Sequence, residues 1–237
     1  MKILKKLFDL LFPPKCVSCN SLLSNAESAF CIDCYREFEA AKRLPCRHCG
    51  REMMHCVCCG DNLVRSGIYR VFKVCPYFPE RADSPELKLI FAVKRRNVTA
   101  YRRFVAREMA AAVKRSGDDL SGFTVTYVPR KPLSVTEYGF DHALELSKLL
   151  ARELDLPWEA VFCRTSDAKE QKGLDRKERR KNATYTLLPI NGVTATGKRY
   201  LICDDVLTTG ASLAACGNIL LALGAKEIRA AVFAQRN

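Results

Sequence analysis

No apolar stretch in the chain approaches the roughly 18 residues that a membrane-spanning helix needs. The N-terminus, MKILKKLFDLLFPP, also lacks the features of an export leader. Asp9 interrupts its apolar run, no small-residue cleavage site follows, and two prolines end it. Leu4, Leu7, Phe8 and Leu11 instead fall at helical spacing, which predicts a short amphipathic helix packed on its own protein. A cytoplasmic location is therefore expected. Without an oxidising compartment, the cysteines are expected to be metal ligands or buried thiols rather than disulfides. Negative charge is scarce: 26 acidic residues face 39 lysines and arginines, a net charge of +13. Such a balance points to a polyanionic partner, either nucleic acid or phosphorylated small molecules. There is no low-complexity tract, and 48% hydrophobic content in 237 residues excludes a disordered chain.

Of 13 cysteines, nine fall between Cys16 and Cys59. Cys16-x2-Cys19 and Cys31-x2-Cys34 supply four thiolates able to surround one tetrahedral zinc. A second set follows, for which Cys46, Cys49, Cys56 and Cys59 are favoured, with Cys58, His48 and His55 as competing ligands. Closure by four cysteines leaves no open coordination position, so these zinc ions are expected to be structural.

The composition changes near residue 65, predicting a zinc-ribbon domain over 1–65 and an α/β domain over 66–237. In the second part, strand-like and helix-like segments alternate. The strands are Gly67–Val74, Phe123–Val128, Ala160–Cys163, Arg199–Cys203 and Ile228–Ala234. The helices run from Ser84 to about Arg115, over Asp141–Leu154 and over Ser212–Leu223, and Cys75–Pro85 reads as a loop. That alternation implies βαβ crossovers and a mainly parallel sheet flanked by helices.

The segment Leu201–Leu213, LICDDVLTTGASL, carries the chemistry. A strand runs into Asp204 and Asp205, whose adjacent carboxylates can accept hydrogen bonds from vicinal hydroxyls. Thr208, Thr209, Gly210, Ala211 and Ser212 then lead into a helix. Such a turn presents backbone N–H groups and the positive end of a helix dipole to a phosphate. Gly210 permits close approach and unusual dihedrals.

Two basic segments flank this region. Lys94–Arg115 holds eight Lys/Arg and one acidic residue, and its Tyr101 and Phe104 sit at the helical spacing of core positions. Lys169–Asn182 holds seven Lys/Arg and three acidic residues without a strong apolar period, the pattern of a flap able to close over a diphosphate.

Leu201–Leu213 resembles the phosphoribosyl diphosphate (PRPP) motif of the type I phosphoribosyltransferases. The resemblance implies that Asp204 and Asp205 hold the ribose 2- and 3-hydroxyls and that Thr208–Ser212 hold the 5-phosphate. Thr208 stands where purine-salvage members often carry an aspartate, and DDVLTTG is closer to orotate-type members. With the cysteine pairs in front, the whole chain resembles the ComF family of competence-associated proteins. Lys94-Arg95-Arg96, Val128-Pro129, Pro132, Glu137, Gly139-Phe140 and Ala143 agree with it in order, as do Gln171, Gly173-Leu174, Arg176, Arg179-Arg180 and Asn182.

Departures fall at Leu133-Ser134-Val135-Thr136 and at Tyr138-Gly139-Phe140-Asp141-His142, where the family tends to carry arginines and an Arg-Gly-Phe-Asn-Gln run. Arg130 and Lys131 offer replacement charge. The resemblance implies a PRPP-binding protein with Lys94, Arg130, Lys131, Gln171, Arg176 and Arg179 facing pyrophosphate, using Mg2+ and, if active, transferring ribosyl 5-phosphate to an unknown acceptor. The alternative is a non-catalytic factor in DNA uptake or recombination. It would bind single-stranded DNA or a 5-phosphorylated ligand and dock a competence helicase or recombination protein.

Overall fold

The computed structural model describes residues 13–164 and 187–237. The predicted N-terminal helix and the Lys169–Asn182 flap, including Gln171, Arg176 and Arg179, lie outside the described residues.

Helix α1 (Ile32–Lys42) and the four-residue α2 (Asp61–Val64) belong to the cysteine-rich part. There follow β1 (Ile68–Tyr77), α3 (Pro85–Arg95), α4 (Thr99–Arg115), β2 (Phe123–Tyr127), α5 (Pro132–Tyr138) and α6 (His142–Leu154). The chain continues through β3 (Phe162–Arg164), β4 (Leu187–Pro189), β5 (Arg199–Leu207), α7 (Ala211–Ala222) and β6 (Glu227–Arg236). Strands β1-β6-β5-β2 form, in that order, a four-stranded parallel sheet, and β3 and β4 pair antiparallel beside it.

A parallel sheet needs cover on both faces. Along β5, Leu201 and Cys203 face one core with α3, α4, α6 and the first cysteine module, while Tyr200 and Ile202 face the other with α7 and the small hairpin. That alternation is the two-residue period of a strand.

Three of the differences from the sequence reading shape the sheet and the helices around it. The long helix expected from Ser84 to Arg115 is two helices. Arg96 and Val98 take extended dihedrals, and Arg102 donates to the Asn97 side chain at 2.9 Å. Asn97, Val98 and Thr99 are weak helix formers in a row, so the chain turns there at small cost. Strand β1 runs through Cys75 and Pro76 into the expected loop. It is an edge strand, where a missing proline N–H is tolerated. Strand β5 extends to Leu207, keeping both aspartates on the sheet through pairing of Val206 with Ala234 and Leu207 with Gln235.

Candidate functional site

The first cysteine module builds its ligand set from two local turns. Asn20, with φ 63°, closes the Cys16–Cys19 turn by donating to the Cys16 carbonyl at 3.0 Å. Cys31 occupies the N-cap of α1 and Cys34 its first turn. The four sulfurs lie within 4.8 Å of one another. The Ser21 hydroxyl, 2.6 Å from Cys19 Sγ, and the Ser21 backbone hold the Cys19 thiol down to about 6, the thiolate that zinc needs.

The second module gathers Cys46, Cys49, Cys56 and Cys58, also within 4.8 Å. This corrects the expectation for Cys59, whose Sγ instead donates to the Ile68 carbonyl at 3.3 Å. The reason is strand-like alternation. Cys56 has extended dihedrals and the Val57 carbonyl accepts from Val71 N, so 56 and 58 point one way and 57 and 59 the other. His48 and His55 stand outside this ligand group. Both donor sets fit tetrahedral structural zinc.

Lys73, missed in the sequence reading, reaches the second module from β1. It is 1% exposed, and its Nζ lies 2.5 Å from the Cys58 carbonyl and 3.2 Å from Cys56 Sγ. The available signal was a lysine inside an otherwise apolar strand, VFKVC.

A cavity of about 510 Å³ opens at the C-terminal end of the sheet, where such folds place ligands. Lys94, Arg130, Lys131, Asp204, Asp205, Thr208 and Ser212 all line it, so segments distant in the chain converge there. Of the remaining loop residues, Thr209 and Gly210 pack against α2. Asn62 Nδ2 donates to the Thr209 carbonyl at 3.0 Å, and Gly210, with φ 73°, caps α7, whose first residue is Ala211.

The two carboxylates differ. Burial would raise Asp205, but Lys94 Nζ at 3.3 Å and His142 Nε2 at 2.5 Å outweigh it and hold its carboxyl well below the usual range. Asp204 is pushed upward by burial and by the neighbouring Asp205 charge. Its Oδ1 accepts the Asp205 backbone N–H at 2.9 Å. Arg130 donates to the Lys94 carbonyl at 3.2 Å, which ties the two cations into one wall.

These two halves match known families separately. The double zinc ribbon domain matches residues 7–63, and the phosphoribosyl transferase domain matches residues 141–237. Competence protein F of Haemophilus influenzae is 28% identical, over 91% of this chain and 94% of its own length. The chain is thus similar to competence protein F over nearly its whole length, with a double zinc ribbon ahead of a phosphoribosyl transferase domain. The DNA utilization protein YhgH of Escherichia coli K12 is 29% identical, over 93% of this chain and 96% of its own. Among solved structures, the glutamine PRPP amidotransferase from B. subtilis complexed with ADP and GMP is 18% identical, with a TM-score of 0.42. That likeness spans 62% of this chain and 30% of the other.

His142 and Arg164 were missed as cavity residues. His142 lay within a segment noted only as a departure, and Arg164 ends a three-residue strand. Tyr101 is buried, and the Phe104 ring lies 5.4 Å from Phe30 and 5.6 Å from Phe38, so both are core residues. Among the described residues, no helix is long and apolar enough to cross a membrane.

The loop's support makes a prediction. A Cβ on Gly210 would stand 3.0 Å from Asn62 Nδ2 and 3.2 Å from Leu63 Cδ2, at a φ that costs an L residue about 1–2 kcal/mol. Gly210→Ala should therefore lower the melting temperature and displace the loop, seen as altered amide shifts for residues 208–213. An unchanged melting curve would contradict that account.

Proposed function

We propose that the cavity binds PRPP and transfers its ribosyl 5-phosphate group to an acceptor. The carrying observation is convergence: two aspartates, a hydroxyl-rich loop at a helix N-terminus and a wall of cations share one cavity. In this reading Asp204 and Asp205 accept from the ribose 2- and 3-hydroxyls. Thr208, Ser212 and the free N–H groups of the first turn of α7 hold the 5-phosphate. Lys94 and His142 fix the direction of the Asp205 carboxylate. Lys94, Arg130 and Lys131 face the diphosphate, where charge grows as the C1–O bond breaks.

A hard cation such as Mg2+ suits this oxygen-rich setting, and bound with PRPP it would supply positive charge to offset that of the diphosphate. Asp204, which has no lysine or arginine within 4.0 Å among the described residues, is the carboxylate left to face it.

Calorimetry with PRPP and Mg2+ tests the reading. The wild type should bind, and Asp205→Ala should lose binding. A wild type that does not bind, or an Asp205→Ala protein that binds equally, refutes it.

A second reading draws on the net charge of +13 and on the names of the relatives, a competence protein and a DNA utilization protein. It makes the chain a single-stranded-DNA-binding and protein-docking factor in DNA uptake. Its affinity for single-stranded DNA should then fall steeply with salt. Salt-independent or absent binding rules it out.

A further inference from the structure

Arg164, the last residue of β3, lines the same cavity as Lys94 and Arg130. Its Nη2 lies 3.4 Å from Ser212 Oγ, well beyond the usual length of an N–H···O bond. Among the described residues its buried Nε has no hydrogen-bond partner. Among the described residues no carboxylate lies within 4.0 Å of the guanidinium; Asp204 and Asp141 act on it only at longer range.

A guanidinium stays charged at any ordinary pH, and a buried charge without a partner is costly. The geometry therefore leaves a positive, two-pronged donor waiting for an anion. Beside it stand the Ser212 hydroxyl and the first turn of α7, a twelve-residue helix whose leading N–H groups have no intrahelical partner.

We propose that Arg164 binds the 5-phosphate of the sugar ligand, bridging the β3–β4 hairpin to the first turn of α7. The inference rests on the reading of the cavity as a ribosyl-phosphate site and names the residue that makes it select a 5-phosphorylated sugar. Lys94 and Arg130 touch each other beside Asp205, and Arg164 touches Ser212 at the start of α7. In the proposed arrangement the diphosphate end of the ligand meets the first pair and the 5-phosphate end meets Arg164. A fork of N–H donors meeting a phosphate dianion makes charge-assisted bonds stronger than neutral ones.

The test is a cycle of two ligands and two proteins, read by calorimetry with Mg2+ present. The ligands are PRPP and ribofuranosyl 1-diphosphate, which lacks only the 5-phosphate; the proteins are wild type and Arg164→Gln. The wild type should prefer PRPP strongly, and Arg164→Gln should shrink that preference tenfold or more. Equal weakening toward both ligands, or an unchanged preference, overturns the role of Arg164. A wild type that binds neither ligand overturns the underlying reading of the cavity instead.

If Arg164→Gln does not fold, Arg164→Lys is read in its place. It keeps the charge but not the fork, and the preference for PRPP should fall at least threefold. No fall would overturn the proposal.

Discussion

Stripping zinc from this protein should destabilise the phosphoribosyl transferase domain as well as the ribbon. The link is Lys73, which stands in β1 of the main sheet with its Nζ against Cys56 and Cys58. A zinc ion held by four thiolates carries net negative charge, and Lys73 balances part of it inside the protein. With zinc gone and the thiols protonated, the lysine charge is left buried, a change of about 3–5 kcal/mol when one partner of a buried pair is removed. For a chain of this size that is a fall in melting temperature on the order of 10 °C.

Lys73→Met separates this account from a merely local loss of the ribbon. In zinc-loaded protein it should destabilise, and it should speed zinc release to a chromogenic chelator. In chelator-treated protein the sign should reverse, because methionine removes a charge that no longer has a partner. Equal loss in both states would mean that Lys73 contributes only its packing.

Much of this was legible because the local sequence and the final geometry agree. DDVLTTGAS reads as strand, carboxylates, loop and helix, and the only adjustment is that β5 runs four residues further. Cys16, Cys19, Cys31 and Cys34 were readable because each pair sits in one turn. Cys58 and Cys59 were not separable by spacing, since both are within reach of Cys56. Which one faces the metal depends on the pairing of Val57 with Val71, a contact 14 residues away in sequence. His142, Arg164 and Lys73 are functional only through partners 63, 48 and 15–17 residues away, so no local pattern marks them. The break between α3 and α4 was visible as Asn97-Val98-Thr99, but apolar spacing on either side outweighed it.

The two aspartates should respond in opposite ways when their charge is removed. Asp204 is raised above its unfolded value, so its contribution to stability is full below the ordinary aspartate range and is lost as pH rises through the raised value. Asp204→Asn should therefore be more thermostable than wild type at neutral pH, with the difference closing on acidification.

Asp205 is depressed by Lys94 and His142, after burial is overcome, so its contribution is present above the ordinary aspartate range and lost as pH falls through the low value. Asp205→Asn should be less stable than wild type at neutral pH, because Lys94 loses its counter-charge and the His142 ring its carboxylate hydrogen-bond partner. Both variants should bind PRPP about ten- to a hundredfold more weakly, the worth of one charge-assisted hydrogen bond to a sugar hydroxyl.

A stabilised Asp204→Asn protein that binds PRPP that much more weakly would show that the unfavourable burial of this carboxylate is maintained for the ligand. A melting profile for Asp204→Asn that parallels wild type at every pH would remove that argument. It would place Asp204 among the residues that only shape the strand end.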